Sequence, residues 1–181
     1  MVKQKRNDDG TIQYRVRGTA GGNLLNVPYD VSARTAGLDT VKLLVHSVIS
    51  GDYKWMTIDI ADFYLGTPLP ASRYEYLRIN LKQLPPALIE QYNLGPLIYN
   101  QHVYFEIRKC MYGLPQAGKL SQTRLIKHLS EHGYIQCPNT PCLFRHRTRD
   151  VMFCLVVDDF GVRFRNQADA DADHSATLTS A

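Results

Sequence analysis

The feature that most constrains this chain is an apolar run broken by two acids. Met152–Val157 (MFCLVV) leads into Asp158-Asp159, and Phe160–Phe164 (FGVRF) follows. Short apolar runs on either side of a turn signal read as buried strands. The acids therefore mark a hairpin turn inside a sheet that must be covered on at least one face. Charge beside Leu155, Val156, Val157 and Phe160 costs desolvation unless a cation or hydrogen bonds compensate it. Adjacent acids in turns ordinarily serve as solvated turn formers. The apolar flanks point instead to a carboxylate site.

The rest of the chain supplies elements around that hairpin. Thr11–Arg17 (TIQYRVR) alternates and predicts a strand. Leu38, Val41, Leu44, Val45 and Val48 recur at helical spacing and predict an amphipathic helix. Tyr53–Ile60 (YKWMTIDI) predicts a strand that ends at Asp59, and Tyr74–Leu81 and Val103–Lys109 predict two more. Pro85-Pro86 opens a short helix reaching Tyr92, since proline suits a first helical turn. Gly113–Gly118 (GLPQAG) breaks the pattern ahead of a helix over Lys119–His132, which buries Leu120, Leu125, Ile126 and Leu129 and stops at Gly133. Leu143–Arg147 is a further strand. Strands interleaved with three helices make the fold class α+β. Residues 1–10 are polar and expected to be disordered, 11–165 to form one domain, and 166–181 to be a polar tail.

Composition excludes several classes. At 181 residues the chain has room for about one domain. Apolar and aromatic residues make up 44%, too many for a wholly disordered chain. No run of 18 uncharged apolar residues is present, so no membrane partner is expected. MVKQKRNDDG lacks the apolar centre of a signal peptide, and an intracellular location, cytoplasmic or nuclear, is expected. Cys110, Cys137, Cys142 and Cys154 form no metal-binding spacing and are expected as free or buried thiols. The net charge of +4 is unevenly spread. From Gln101 to Asp150, eight basic residues (Arg108, Lys109, Lys119, Arg124, Lys127, Arg145, Arg147, Arg149) face three acids, giving +5. That balance suits a polyanionic partner.

Asp59 and Asp158-Asp159 both end apolar strands. Hard carboxylates on neighbouring strands suit Mg²⁺, which takes one or two protein carboxylates and fills its shell with phosphate and water. Two such ions can serve phosphoryl transfer.

Three stretches occur in order: IDIADFYLGTPL (Ile58–Leu69), MYGLPQAG (Met111–Gly118) and LVVDDFGV (Leu155–Val162). Together they resemble the palm and fingers of reverse transcriptases, most closely the copia type of retrotransposon polymerase. In that type the motifs take the forms D-V-x-x-A-F-L-x-G, Y-G-L-x-Q-A and Y-V-D-D. The resemblance runs from about Gln13 to Phe164. It implies a right-hand polymerase fingers/palm fold, with an antiparallel palm sheet backed by helices and the thumb absent. It also implies a retrotransposon RNA-directed DNA polymerase that adds dNTP to a primer 3′-OH. The implied cofactors are two Mg²⁺ ions, with Mn²⁺ as a substitute. The implied partners are an RNA or DNA template-primer, dNTP and other parts of a retroelement polyprotein.

The resemblance assigns roles position by position. Asp59 matches the first metal-binding aspartate, and Asp158 and Asp159 match the D-D pair. Tyr64 falls where the family has the aromatic that blocks a ribose 2′-OH. Gln116 falls where the second motif meets the incoming nucleotide or template. Either Arg15 or Arg17, on the fingers strand, matches a triphosphate-binding base, and Asp62 is similar to an acid beside the nucleotide pocket. Val156 stands where the family has tyrosine and cannot supply that aromatic surface. A chain that stops soon after the third motif is expected to be a truncated, weakly active or inactive fragment. The alternative is a catalytically silent nucleic-acid-binding remnant of a retroelement.

Overall fold

Alternation in the sequence becomes alternation of faces in three antiparallel sheets. The computed structural model describes residues 2–72 and 74–171. In chain order the strands are β1 (Val2–Arg6), β2 (Ile12–Val16), β3 (Lys54–Asp59), β4 (Glu75–Asn80), β5 (Ile98–Tyr99), β6 (His102–Ile107), β7 (Tyr134–Gln136), β8 (Leu143–His146), β9 (Val151–Val156) and β10 (Asp159–Phe164). The helices are α1 (Leu38–Ser50), α2 (Pro86–Gln91) and α3 (Ala117–Glu131). The main sheet has the order β3-β10-β9-β8-β7; β4-β6-β5 and β1-β2 form the other two. The fold is α+β, as the interleaved pattern predicts.

Cross-strand partners share a face, so register sorts the main sheet. Ile58 lies opposite Phe160, which lies opposite Leu155 on β9; Val162 lies opposite Phe153, which lies opposite Phe144 on β8. All six are buried, in one cluster with Leu125 and Leu129 of α3. The rings of Phe144 and Phe153 stack at 5.0 Å, and those of Phe153 and Phe160 also lie 5.0 Å apart. Burying a side chain of this size is worth about 1.5–3 kcal/mol, so this layer dominates the core. Gly133, at φ +88°, closes α3 in the left-handed conformation a helix end favours.

The opposite face carries Thr57, Asp59, Asp159, Gly161, Arg163, Met152, Cys154 and Val156. Helix α1 crosses only one end of it. There Leu43, Leu44 and Ser47 enclose, with Met152 and Arg163, a cavity of about 210 Å³. The ring of Trp55 occupies the space above Gly161, where a Cβ would collide with it. Beyond that ring the face opens, and Asp59 and Asp159 are exposed.

Several expectations need correction. Residues 1–10, expected to be disordered, contain β1, which pairs along its whole length with β2. Its sequence VKQKR carries no apolar alternation, so no side-chain pattern announces the strand. Strands β5 and β7, of two and three residues, are too short to show a period. The hairpin turn is Val157-Asp158, and Asp159 is already the first residue of β10. Of the tail, residues 167–171 are helical and bury Ala170; the remainder lies outside the described residues.

Candidate functional site

The site is built where β3 ends and β10 begins. Asp59, the last residue of β3, lies directly opposite Asp159, and the Ile60 amide donates to the Asp158 carbonyl at 3.2 Å. Asp59 of the first motif and Asp158 and Asp159 of the third therefore meet at one sheet end, where β3 and β10 run antiparallel. Asp59 and Asp159 share a face as cross-strand partners. Asp158, half-buried on the turn, is held above the usual carboxylate range, by burial first and then by the negative charges of Asp159 and Asp59. Like charges gathered at one place are unfavourable, and a bound cation would relieve them.

The turn itself is strained. In the two-residue link Val157-Asp158, Val157 sits at φ +61°. The first central position of such a hairpin normally belongs to glycine. A β-branched residue in the left-handed region costs on the order of 1–2 kcal/mol. Strain and like-charge repulsion thus coincide at one hairpin.

An aromatic chain runs from Asp158 to the N-terminal hairpin. Tyr64, half-buried after β3, has its phenol pushed up by burial and by the charge of Asp158. Its ring meets Tyr112 edge to face at 5.1 Å. The Arg17 guanidinium lies 4.2 Å from the centre of the Tyr112 ring, a cation–π distance. The positive charge of Arg17 also acts on Asp158, opposing the upward shift of its carboxyl. Arg17 therefore joins the carboxylate end; the side chain of Arg15 lies outside the described residues.

Two glycines make this placement possible. The Ala20 amide donates to the Tyr112 carbonyl at 2.8 Å. A Cβ on Gly22 would overlap the Gly113 carbonyl oxygen, and one on Gly113 would overlap that of Ala20. Gly113 is also at φ +91°. The segment after β2 can lie against the 111–115 turn only because both positions lack side chains.

Gln116 and Asp62 stand differently. Gln116, at the head of α3, is 2% exposed, and its amide donates to Glu75 Oε1 on β4 at 3.1 Å. It faces the three-stranded sheet, and its Oε1 is buried without a hydrogen-bond partner. Asp62 is exposed at φ +53°, in a turn where its carbonyl accepts from the Gly66 amide. Tyr112 was missed by sequence reasoning, although it lies inside MYGLPQAG; its position beside Gly113, in a motif of its own, was the available signal.

The donor set fits a hard divalent cation in one respect and bounds it in another. Asp59, Asp158 and Asp159 are oxygen donors of the kind Mg²⁺ takes. Among the described residues no group of three or more His, Cys, Asp or Glu side chains converges on one point. A cation here would draw on these carboxylates and take its other ligands from substrate or water. Burial pushes the Cys110 thiol up to about 11 and raises those of Cys142 and Cys154, which disfavours the thiolate a nucleophile needs at those three positions. Among the described residues no helix is long and apolar enough to cross a membrane.

Comparison with protein families, curated proteins and solved structures finds no match to this chain.

Proposed function

We propose that this chain is the fingers/palm part of a copia-type reverse transcriptase, an RNA-directed DNA polymerase adding dNTP to a primer 3′-OH. The observation that carries the reading is register. Asp59 of the first motif stands opposite Asp159 of the third, with Asp158 on the adjoining turn. The order of the three motifs and the concentration of negative charge at that sheet end support it.

In this reading Asp59 and Asp158 hold the divalent ions and Asp159 adds negative field beside them. When bound, two Mg²⁺ (or Mn²⁺) would activate the primer hydroxyl and stabilise the departing pyrophosphate. The protein's own groups position the reactants. Tyr64, braced by Tyr112, limits space at the sugar; Arg17 offers charge to the triphosphate. Gln116, buried with its amide donated to Glu75, holds the head of α3 against β4 rather than meeting nucleotide or template itself.

The test is single-nucleotide addition to a primer on an RNA template with Mg²⁺ or Mn²⁺. Incorporation should occur and fall by about 100-fold or more in Asp59→Asn, the scale expected for losing a metal's charge stabilisation. Incorporation that survives Asp59→Asn and Asp158→Asn would overturn the proposal. So would a wild-type chain that neither incorporates nor binds a divalent ion.

A further inference from the structure

The three-stranded sheet has one covered face and one open face. Leu77, Ile79, Val103, Phe105 and Ile107 alternate inward as buried or half-buried residues. On the other face Tyr76 lies opposite Glu106, Arg78 opposite Tyr104, and Tyr99 opposite His102. Tyr76 is 62% exposed, Tyr104 47% and Tyr99 66%.

Register turns these three tyrosines into a row. Along β6, Tyr76 is level with Glu106, Tyr104 occupies its own position, and Tyr99 is level with His102. The rings therefore step diagonally across all three strands, one per strand, two β6 residues apart. Diagonal neighbours stand roughly 7–8 Å from each other. Tyrosine favours strands in any protein, but a packing role would bury its ring. Among the described residues none of these three rings pairs with another aromatic ring.

Charge on the face favours an anion. The acid of the row, Glu106, is clasped by Arg108 Nε at 2.6 Å. Arg78, directly opposite Tyr104, is exposed and has no ion-pair partner among the described residues. With Glu106 paired to Arg108, the unbalanced charge on the exposed row is the guanidinium of Arg78, beside the Tyr104 ring.

We propose that this face binds single-stranded nucleic acid. Bases would stack on Tyr76, Tyr104 and Tyr99, with Arg78 meeting phosphate. Exposed aromatics on an open sheet, flanked by basic side chains, take splayed bases and do not depend on base identity. A duplex keeps its bases stacked on one another and offers the rings nothing. The surface is separate from Asp59, Asp158 and Asp159 and needs neither metal nor dNTP, so the inference stands or falls independently of the polymerase reading.

The experiment is fluorescence anisotropy with a short labelled single-stranded oligonucleotide, without metal or dNTP. It compares the full chain with Tyr104→Leu, Tyr76→Leu and Tyr104→Phe. Leucine keeps the strand and the apolar bulk but removes the ring. Each leucine variant should bind roughly tenfold more weakly, Tyr104→Phe should bind like the wild type, and unlabelled duplex should compete poorly. Thermal melts matching the wild type establish that the variants are folded. Unchanged affinity in folded leucine variants, or duplex competing as well as single strand, would overturn the proposal. So would leucine variants that lose self-association in sedimentation while keeping oligonucleotide affinity, which would assign the face to a second copy of the chain.

Discussion

The two ends of the β3–β10 strand pair treat charge in opposite ways. At one end Asp150, which precedes β9, is bracketed by Arg163 Nη2 at 3.5 Å and Arg165 Nε at 3.4 Å, and it accepts a hydrogen bond from the Tyr53 hydroxyl at 3.1 Å. Both guanidiniums also lie over the Tyr53 ring, at 4.0 and 4.4 Å, and Arg163 reaches Ser47 of α1. That network ties β9, β10, α1 and the start of β3 together. At the other end three acids meet, the turn is strained, and the positive group acting there, Arg17, is stacked on Tyr112. The first arrangement is what stability favours. The second costs stability and makes sense where a cationic ligand is to be held.

The comparison breaks first at Asp150. Replacing it with alanine leaves Arg163, whose side chain is only 15% exposed, without its carboxylate. Losing one partner of a largely buried charge pair is costly. Asp150 is itself half exposed, which moderates the effect to ~1–3 kcal/mol. Thermal unfolding should show a midpoint lower by several degrees, ~2–4 °C for each kcal/mol in a chain of this size.

At the other end substitutions should have the reverse sign. Val157→Asn places a residue that tolerates the left-handed region at φ +61°. A rise in stability of ~1 kcal/mol is expected from denaturant unfolding, and an unchanged or lower midpoint would show that the turn is unstrained.

Asp158→Asn should also stabilise, more weakly, and with a pH signature. Folding raises the proton affinity of Asp158 through burial and its acidic neighbours. The folded state is therefore favoured when this carboxyl is protonated, and it loses that advantage as pH rises through the raised pKa. The variant should melt above the wild type at neutral pH, by no more than about 2–4 °C. The difference should shrink as the pH falls towards the ordinary carboxylate range. A variant that melts lower at neutral pH would mean that Asp158 is a structural partner like Asp150. The smallest effect is salt: screening should raise the wild-type midpoint slightly and leave Asp158→Asn nearly unmoved.

What the sequence made legible follows the same division. Elements with an apolar period, α1, α3, β9 and β10, stand within a few residues of where the pattern puts them, because each buries a face in one core. The meeting of Asp59 with Asp158-Asp159 was expected from the motif resemblance and not from spacing, because register between distant strands is set by the sheet. β1 was invisible because VKQKR carries no apolar alternation. Tyr112 was invisible for another reason: its partners Arg17 and Tyr64 come from segments far away in sequence. The engagement of Gln116 by Glu75 likewise depends on where β4 lies against the head of α3.

The measurement that tests the central claim most directly is divalent-ion binding by titration calorimetry, with Mn²⁺ as the probe. It compares the wild type, Asp158→Asn and Asp150→Asn at neutral pH. The account predicts binding by the wild type and by folded Asp150→Asn, and its loss or strong weakening in Asp158→Asn. Binding that persists in Asp158→Asn, or that disappears only in Asp150→Asn, would contradict the assignment of the acidic sheet end as the cation site.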